Sequence, residues 1–248
     1  MRKLFIPLVL FLMAFAIPGK KKITIWMCGD STMSIKEKKA YPETGWGMPF
    51  VNFWDSTVTI ENLAKNGRST SSFKNEGLWQ IVLDKAAEDD YVFIQFGHND
   101  EVSTKKTYTT EVEFKNNLKQ YVTEAKGKKA IPILLTPMAR RKFDANAKIE
   151  GTHDVYSQIV RDVAKEEKVV LFDMDKITQQ LYQQFGVDNS KLLFMQLKLN
   201  EHPNYPEGRD DNTHFNELGA RLNAQLVLTE IRSLVPDLAD RIVKPVAK

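Results

Sequence analysis

Cysteine is nearly missing from this chain of 248 residues: Cys28 stands alone. No intramolecular disulfide can form, and no thiolate set is present to hold zinc or an iron–sulfur cluster. Apolar runs are short as well. None reaches the roughly 20 residues that a membrane-spanning helix needs. Charge of one sign is also scarce, since Lys and Arg exceed Asp and Glu by only 35 to 32, for a net +3. That balance lacks the basic footprint of a nucleic-acid-binding protein. There is no internal repeat or low-complexity tract, no Gly-x-Ser-x-Gly elbow, no phosphate-binding Walker loop and no common His or Cys metal motif.

The first residues have a different character from the rest. Arg2 and Lys3 precede an almost wholly apolar stretch from Leu4 to Phe15, and Ala14-Phe15-Ala16 fits a small-residue cleavage pattern. Residues 1–16, or as far as about 20, are therefore expected to be a secretory signal, with a retained anchor as the alternative. Loss of Arg2 and Lys3 would leave the mature chain near +1. The expected location is the periplasm or the cell exterior, with no stable membrane insertion after cleavage. Residues 22–248 are expected to form a single domain and a monomer, and their length is sufficient to bury a substantial core.

Beyond residue 22, strand and helix patterns alternate as in βαβ units. Ile23–Cys28, Thr57–Leu63, Tyr91–Phe96, Ala130–Leu135 and Val169–Phe172 read as strands. Gly45–Trp54 reads as a short helix, and Glu111–Lys126 as an amphipathic one. Thr152 is placed to cap a helix ending near Glu167, and Phe215–Leu234 to form a closing helix bounded by Pro236. The expected fold class is α/β: a three-layer α/β/α sandwich with a central parallel, flavodoxin-like sheet.

In such a sheet, ligands collect outside the carboxyl ends of the strands. Gly29-Asp30-Ser31-Thr32 follows the first strand and presents a serine hydroxyl there. Asn66-Gly67-Arg68-Ser69 follows the second, where Gly67 lets the backbone approach a ligand. Gly97-His98-Asn99-Asp100 follows the third, and the Asn99 amide can donate to an oxygen that becomes negative. Far downstream, Asp211-Asn212-Thr213-His214 holds an acid and an imidazole three residues apart, close enough for one loop to present both to Ser31.

These four blocks, in this order, resemble those of the SGNH (GDSL-type) hydrolases over about residues 23–234. Gly97-His98-Asn99-Asp100, Thr136 to Arg141 and Tyr205 to Phe215 are most similar to the rhamnogalacturonan acetylesterase branch. The resemblance implies a serine esterase needing no cofactor and no metal. In it Ser31 is the nucleophile, His214 the general base and Asp211 the group that orients the imidazole. Ser31, Gly67 and Asn99 would form the oxyanion hole. It also implies an acetylated polysaccharide or oligosaccharide as substrate, pectic rhamnogalacturonan first, with acetylated xylan, lipid or thioester substrates as alternatives.

Among the remaining polar residues, Arg140 and Arg141 follow the fourth strand, and a guanidinium fork matches the carboxylates of a pectic backbone. An ordinary salt bridge is the plainer role for both. His98 and His202 are further candidate substrate contacts, with loop orientation as the alternative role for His98. His153, at a helix start, is expected at the surface. Asp30 and Asp100 are expected to fix turns; Trp46 and Tyr205 are candidates to carry a sugar face, with core packing the plainer role for each. Two other classes stay open on the residues alone. Metal-dependent hydrolysis could draw on His98, Asp100, His202, Asp210, Asp211 and His214, although their spacing is no metal signature. A non-catalytic sugar-binding module would make no use of a reactive serine.

Overall fold

A computed structural model describes residues 19–244. The expected signal over residues 1–16 lies outside them. Five strands form the central sheet: β1 (Ile23–Gly29), β2 (Val58–Asn62), β3 (Tyr91–Gln95), β4 (Ile131–Leu135) and β5 (Val170–Phe172). All pair in parallel, in the order β2-β1-β3-β4-β5. The chain moves outward from β1 to β2, then returns to the other side of β1 for β3. That reversal opens a crevice between the carboxyl ends of β1 and β3. Gly29 lies opposite Gln95 there.

Alternation along each strand divides the core into two. Ile23, Ile25, Met27, Tyr91, Phe93, Ile133 and Leu135 belong to one buried cluster, and Trp26, Cys28, Val92, Ile94 and Leu134 to the other. This period of two is what a sheet covered on both faces requires. The first face is covered by α1 (Gly47–Phe50) and α6 (Met174–Asn189, broken at Gly186), together with α7 (Glu217–Leu234) and the short α8 (Pro236–Ala239). The second is covered by α2 (Thr70–Asn75), α3 (Leu78–Lys85), α4 (Glu111–Gly127) and α5 (Asp154–Glu167). In α4, Phe114, Leu118, Tyr121, Val122 and Ala125 point inward, and Thr110 with Glu113 closes its start as a reciprocal cap. Full burial of one such apolar side chain contributes roughly 1.5–3 kcal/mol. Cys28 is buried, and burial pushes its thiol well above the ordinary range.

Three sequence expectations shift. Arg209–Phe215, read as a loop running into a helix, is a strand, β7, paired antiparallel with β6 (Phe194–Leu197). The final long helix therefore starts at Glu217, where the Asn216 side chain accepts from the Gly219 N–H at 3.1 Å. Thr152 does not cap α5, because its hydroxyl accepts from the Arg140 N–H at 3.0 Å and His153 holds the cap position. Gly45–Trp54 contains the helical turn of α1 and a 3-10 turn over Val51–Phe53.

Candidate active site

Ser31 sits two residues beyond β1 in a tight turn, where the Met33 and Ser34 N–H groups donate to the Asp30 carbonyl. Asp30 holds this turn from within, its Oδ1 accepting from the Thr32 N–H at 2.9 Å and the Thr32 hydroxyl at 2.8 Å. The serine hydroxyl is thus carried on a short, doubly fastened bend at the end of a buried strand. Across the crevice, β7 delivers the other two residues. His214 Nε2 lies 2.9 Å from Ser31 Oγ, and His214 Nδ1 lies 2.8 Å from Asp211 Oδ2.

A carboxylate can only accept, so Nδ1 carries the proton and the Nε2 lone pair faces the serine hydroxyl. Asp211 is fixed in turn by the Thr213 and His214 N–H groups, which donate to its Oδ1 at 2.8 and 2.9 Å, and by Arg209, which donates to Oδ2 at 2.7 Å. Burial works to raise its pKa. The hydrogen bonds and charge of His214, with the Arg209 guanidinium, outweigh that and hold it well below the usual carboxylate range.

The other two loops close on the same edge. Gly67 has φ +78°, and a Cβ placed there would meet nothing within 4 Å, so its backbone faces open space. Asn99 is 3% exposed; its Nδ2 donates to the Arg68 carbonyl at 3.0 Å and its Oδ1 accepts from Lys105 Nζ at 2.8 Å. One amide hydrogen therefore stays available for a ligand oxygen, and the lysine fixes which way the amide faces. Asp100 anchors this loop, its Oδ1 accepting from the Thr70 N–H and from the hydroxyls of Thr70 and Thr109. Burial raises its pKa to about 6 against those three bonds.

The remaining candidates separate. Arg140 pairs with Glu101 at 2.8 Å and donates to the His98 carbonyl at 3.3 Å. Arg141 reaches only neutral acceptors, namely Ser190 Oγ at 2.9 Å, Asn212 Oδ1 at 2.8 Å and the Val187 carbonyl. Both, with Lys142, Thr152 and Asn212, line a cavity of about 420 Å³. His98 is buried and meets the His153 ring edge-on at 4.3 Å, with burial holding its pKa well below the ordinary value. His153 is not at the surface as expected: it is 1% exposed, with Nδ1 2.9 Å from Glu101 Oε1. His202 lies apart, beside Tyr41 and accepting from the Asn204 N–H. Trp46 is a core residue, donating to Gln95 at 2.7 Å. Tyr205 is not one, since it lies partly exposed under the Arg209 guanidinium.

Motif reading misses Arg209, Lys105 and Lys36. Each contacts a site residue; Lys36 and Lys105 lie outside the matching stretches, and Arg209, although within Tyr205 to Phe215, was given no role there. Among the described residues, no three His, Cys, Asp or Glu side chains converge to hold a metal ion.

A serine hydroxyl, an imidazole and a carboxylate held in one hydrogen-bonded line at the crevice of a parallel sheet match the arrangement that serine ester hydrolases use. The GDSL-like lipase/acylhydrolase family model matches residues 28–222, and the chain belongs to that family. It is similar to the rhamnogalacturonan acetylesterase RhgT of Bacillus subtilis, at 40% identity over 90% of this chain and 96% of that one. The crystal structure of B. subtilis YxiM superposes with a TM-score of 0.75 at 26% identity, covering 86% of this chain and 57% of that longer one. The acetylxylan esterase Axe2 of Geobacillus stearothermophilus shares the fold, with a TM-score of 0.59 at 18% identity over 85% of this chain and 94% of that one.

Proposed function

We propose that this chain is an exported carbohydrate esterase that removes O-acetyl groups from pectic polysaccharide, rhamnogalacturonan foremost, through an acyl-serine intermediate. The observation that carries the chemistry is the 2.9 Å contact of Ser31 Oγ with the base His214. As Ser31 attacks the acetyl carbonyl, His214 Nε2 takes the hydroxyl proton, and Asp211 stabilises the imidazolium that results. Negative charge on the former carbonyl oxygen is met by the N–H groups of Ser31 and Gly67 and by the free Asn99 amide hydrogen. Collapse expels the sugar oxygen, which receives the proton from His214 and leaves acetyl-Ser31. Water, deprotonated by the same imidazole, then releases acetate and restores the serine.

The likeness to RhgT supports the acetylated pectic substrate. So does Arg141, whose guanidinium bonds only neutral acceptors while lining the cavity beside Asn212, the Asp188 and Asp210 carboxylates acting on it only through space. An acidic sugar would give it a carboxylate in direct contact. The test compares acetate release from acetylated rhamnogalacturonan, acetylated xylan and p-nitrophenyl acetate. Release fastest from rhamnogalacturonan, with KM for that polymer alone raised in Arg141→Gln, is the expected result. Cleavage of the aryl ester with every acetylated polymer left untouched would refute the substrate assignment.

A further inference from the structure

Lys36 is a buried cation outside every recognised block. Its side chain is 2% exposed, and Nζ has three partners: the Ser31 carbonyl at 2.6 Å, Asn66 Oδ1 at 2.8 Å and Glu43 Oε1 at 2.8 Å. Glu43 is nearly as enclosed, at 10%. Ser34 Oγ adds a bond of 2.6 Å to the same Asn66 oxygen. Burying an ammonium is costly unless it is paired and hydrogen-bonded, and this one is both.

What it joins gives the arrangement its meaning. Ser31 and Asn66 lie on loops that leave different strands, β1 and β2, and each neighbours an oxyanion donor: the Ser31 N–H itself and the N–H of Gly67. The last backbone bond between the two strand ends runs from the Lys65 N–H to the Gly29 carbonyl at 3.1 Å; among the described residues none joins Asn66 or Gly67 to the backbone of the Ser31 turn, so beyond that root side chains set their spacing. Ser34 Oγ lies near the same two groups, 2.6 Å from Asn66 Oδ1 and 3.3 Å from the Ser31 carbonyl, but a hydroxyl has one hydrogen to donate and cannot hold both, whereas the ammonium gives each a charge-assisted bond. Burial lowers the Lys36 pKa and the neighbouring Glu43 charge opposes that fall.

We propose that Lys36 is a positioning residue of the oxyanion hole, its ammonium tying the serine turn to the Asn66–Gly67 turn with Glu43 as fixed counter-charge. The proposal rests on the esterase reading above, since it needs Ser31 and Gly67 to share one oxyanion. A displacement of about 1 Å between reacting groups and their donors can cost on the order of 10²-fold in rate. The tie therefore acts on turnover and on affinity for tetrahedral adducts, while ground-state binding of the ester is little affected.

The test uses the double variant K36M/E43Q, which removes both charges together so that no carboxylate is stranded, and N66A, which cuts the tie at its exposed end. Hydrolysis of p-nitrophenyl acetate, inhibition by phenylboronic acid and thermal melting are measured on both, beside wild type and S31A. In the double variant kcat is expected to fall about 10²-fold, with KM within about threefold and the boronate inhibition constant rising in step with the loss. N66A is expected to lose about tenfold in kcat in the same pattern. A kcat within about twofold of wild type in N66A, or a kcat loss with boronate affinity unchanged, overturns the proposal. If the double variant does not fold, N66A decides alone. Wild-type protein inactive on all esters, or S31A as active as wild type, would instead sink the esterase reading itself.

Discussion

Replacing Asn99 with alanine separates chemistry from folding more cleanly than any other single change. The amide is 3% exposed and holds two bonds, donating to the Arg68 carbonyl and accepting from Lys105. Truncation frees the exposed Lys105 ammonium to return to water and leaves the Arg68 carbonyl short of one donor. A neutral hydrogen bond of this kind is worth about 1 kcal/mol net, a shift of about 2–4 °C in the melting temperature of a domain this size. The catalytic loss is far larger. One oxyanion donor contributes about 2.7–4 kcal/mol to the transition state, so kcat should fall about 10²–10³-fold. Initial rates on p-nitrophenyl acetate over a range of concentrations give kcat and KM, and a thermal melt of the same sample gives stability. A variant within fivefold of wild type in kcat would refute the placement of Asn99 in the oxyanion hole, and a collapse in melting temperature would show it to be structural.

Three further outcomes follow from the same geometry. Asp211→Asn keeps the shape but loses the carboxylate that selects the Nδ1–H tautomer, so kcat should drop about 10³–10⁴-fold with little change in KM, read by the same kinetics. The buried Asp100, held at about 6 against an ordinary 3.8, binds its proton more tightly folded than unfolded; it favours the folded state below pH 3.8 and loses that favour as pH rises to about 6. Asp100→Asn should then be more stable than wild type at pH 7 by up to about 3 kcal/mol and show no such gain at pH 4, as urea denaturation at the two pH values would reveal. Asp211, held low, acts oppositely: its contribution is present above the unfolded carboxylate range near 3.9 and is lost as pH falls further. Prolonged incubation with EDTA should leave acetate release unchanged, and a loss restored by zinc would favour metal-dependent hydrolysis.

The three middle strands of the sheet were legible because they are buried on both faces. Ile23–Gly29, Tyr91–Gln95 and Ile131–Leu135 are short apolar runs that end where glycine or polar residues begin, and only parallel strands covered by helices bury such runs. The meeting of Ser31, His214 and Asp211 was legible because chemistry restricts their types and strand ends restrict their places. β7 was not, since Arg-Asp-Asp-Asn-Thr-His-Phe has almost no strand propensity. It is extended because β6 pairs with it and because Asp211 fastens the Thr213 and His214 amides, both matters of tertiary context. α6 carried a signal in Ile177, Leu181 and Phe185 at helical spacing, but the segment is rich in Gln and its face is only partly apolar. Lys36 had no signal, and Arg209 had none beyond lying in the Tyr205 to Phe215 stretch. An isolated lysine or arginine reads as solvated surface until the fold shows what surrounds it, and here that is Ser31, Asn66 and Glu43 for one and Asp211 for the other.

The account as a whole depends on Ser31 being activated by His214 across 183 residues of chain. Peptide mass spectrometry after exposure to a fluorophosphonate measures that activation directly. A single phosphonyl adduct on the peptide carrying Ser31, formed in wild type and absent from His214→Ala, is the predicted result. Ester-cleaving protein whose Ser31 stays unlabelled, or a His214→Ala variant labelled as fast as wild type, would contradict it.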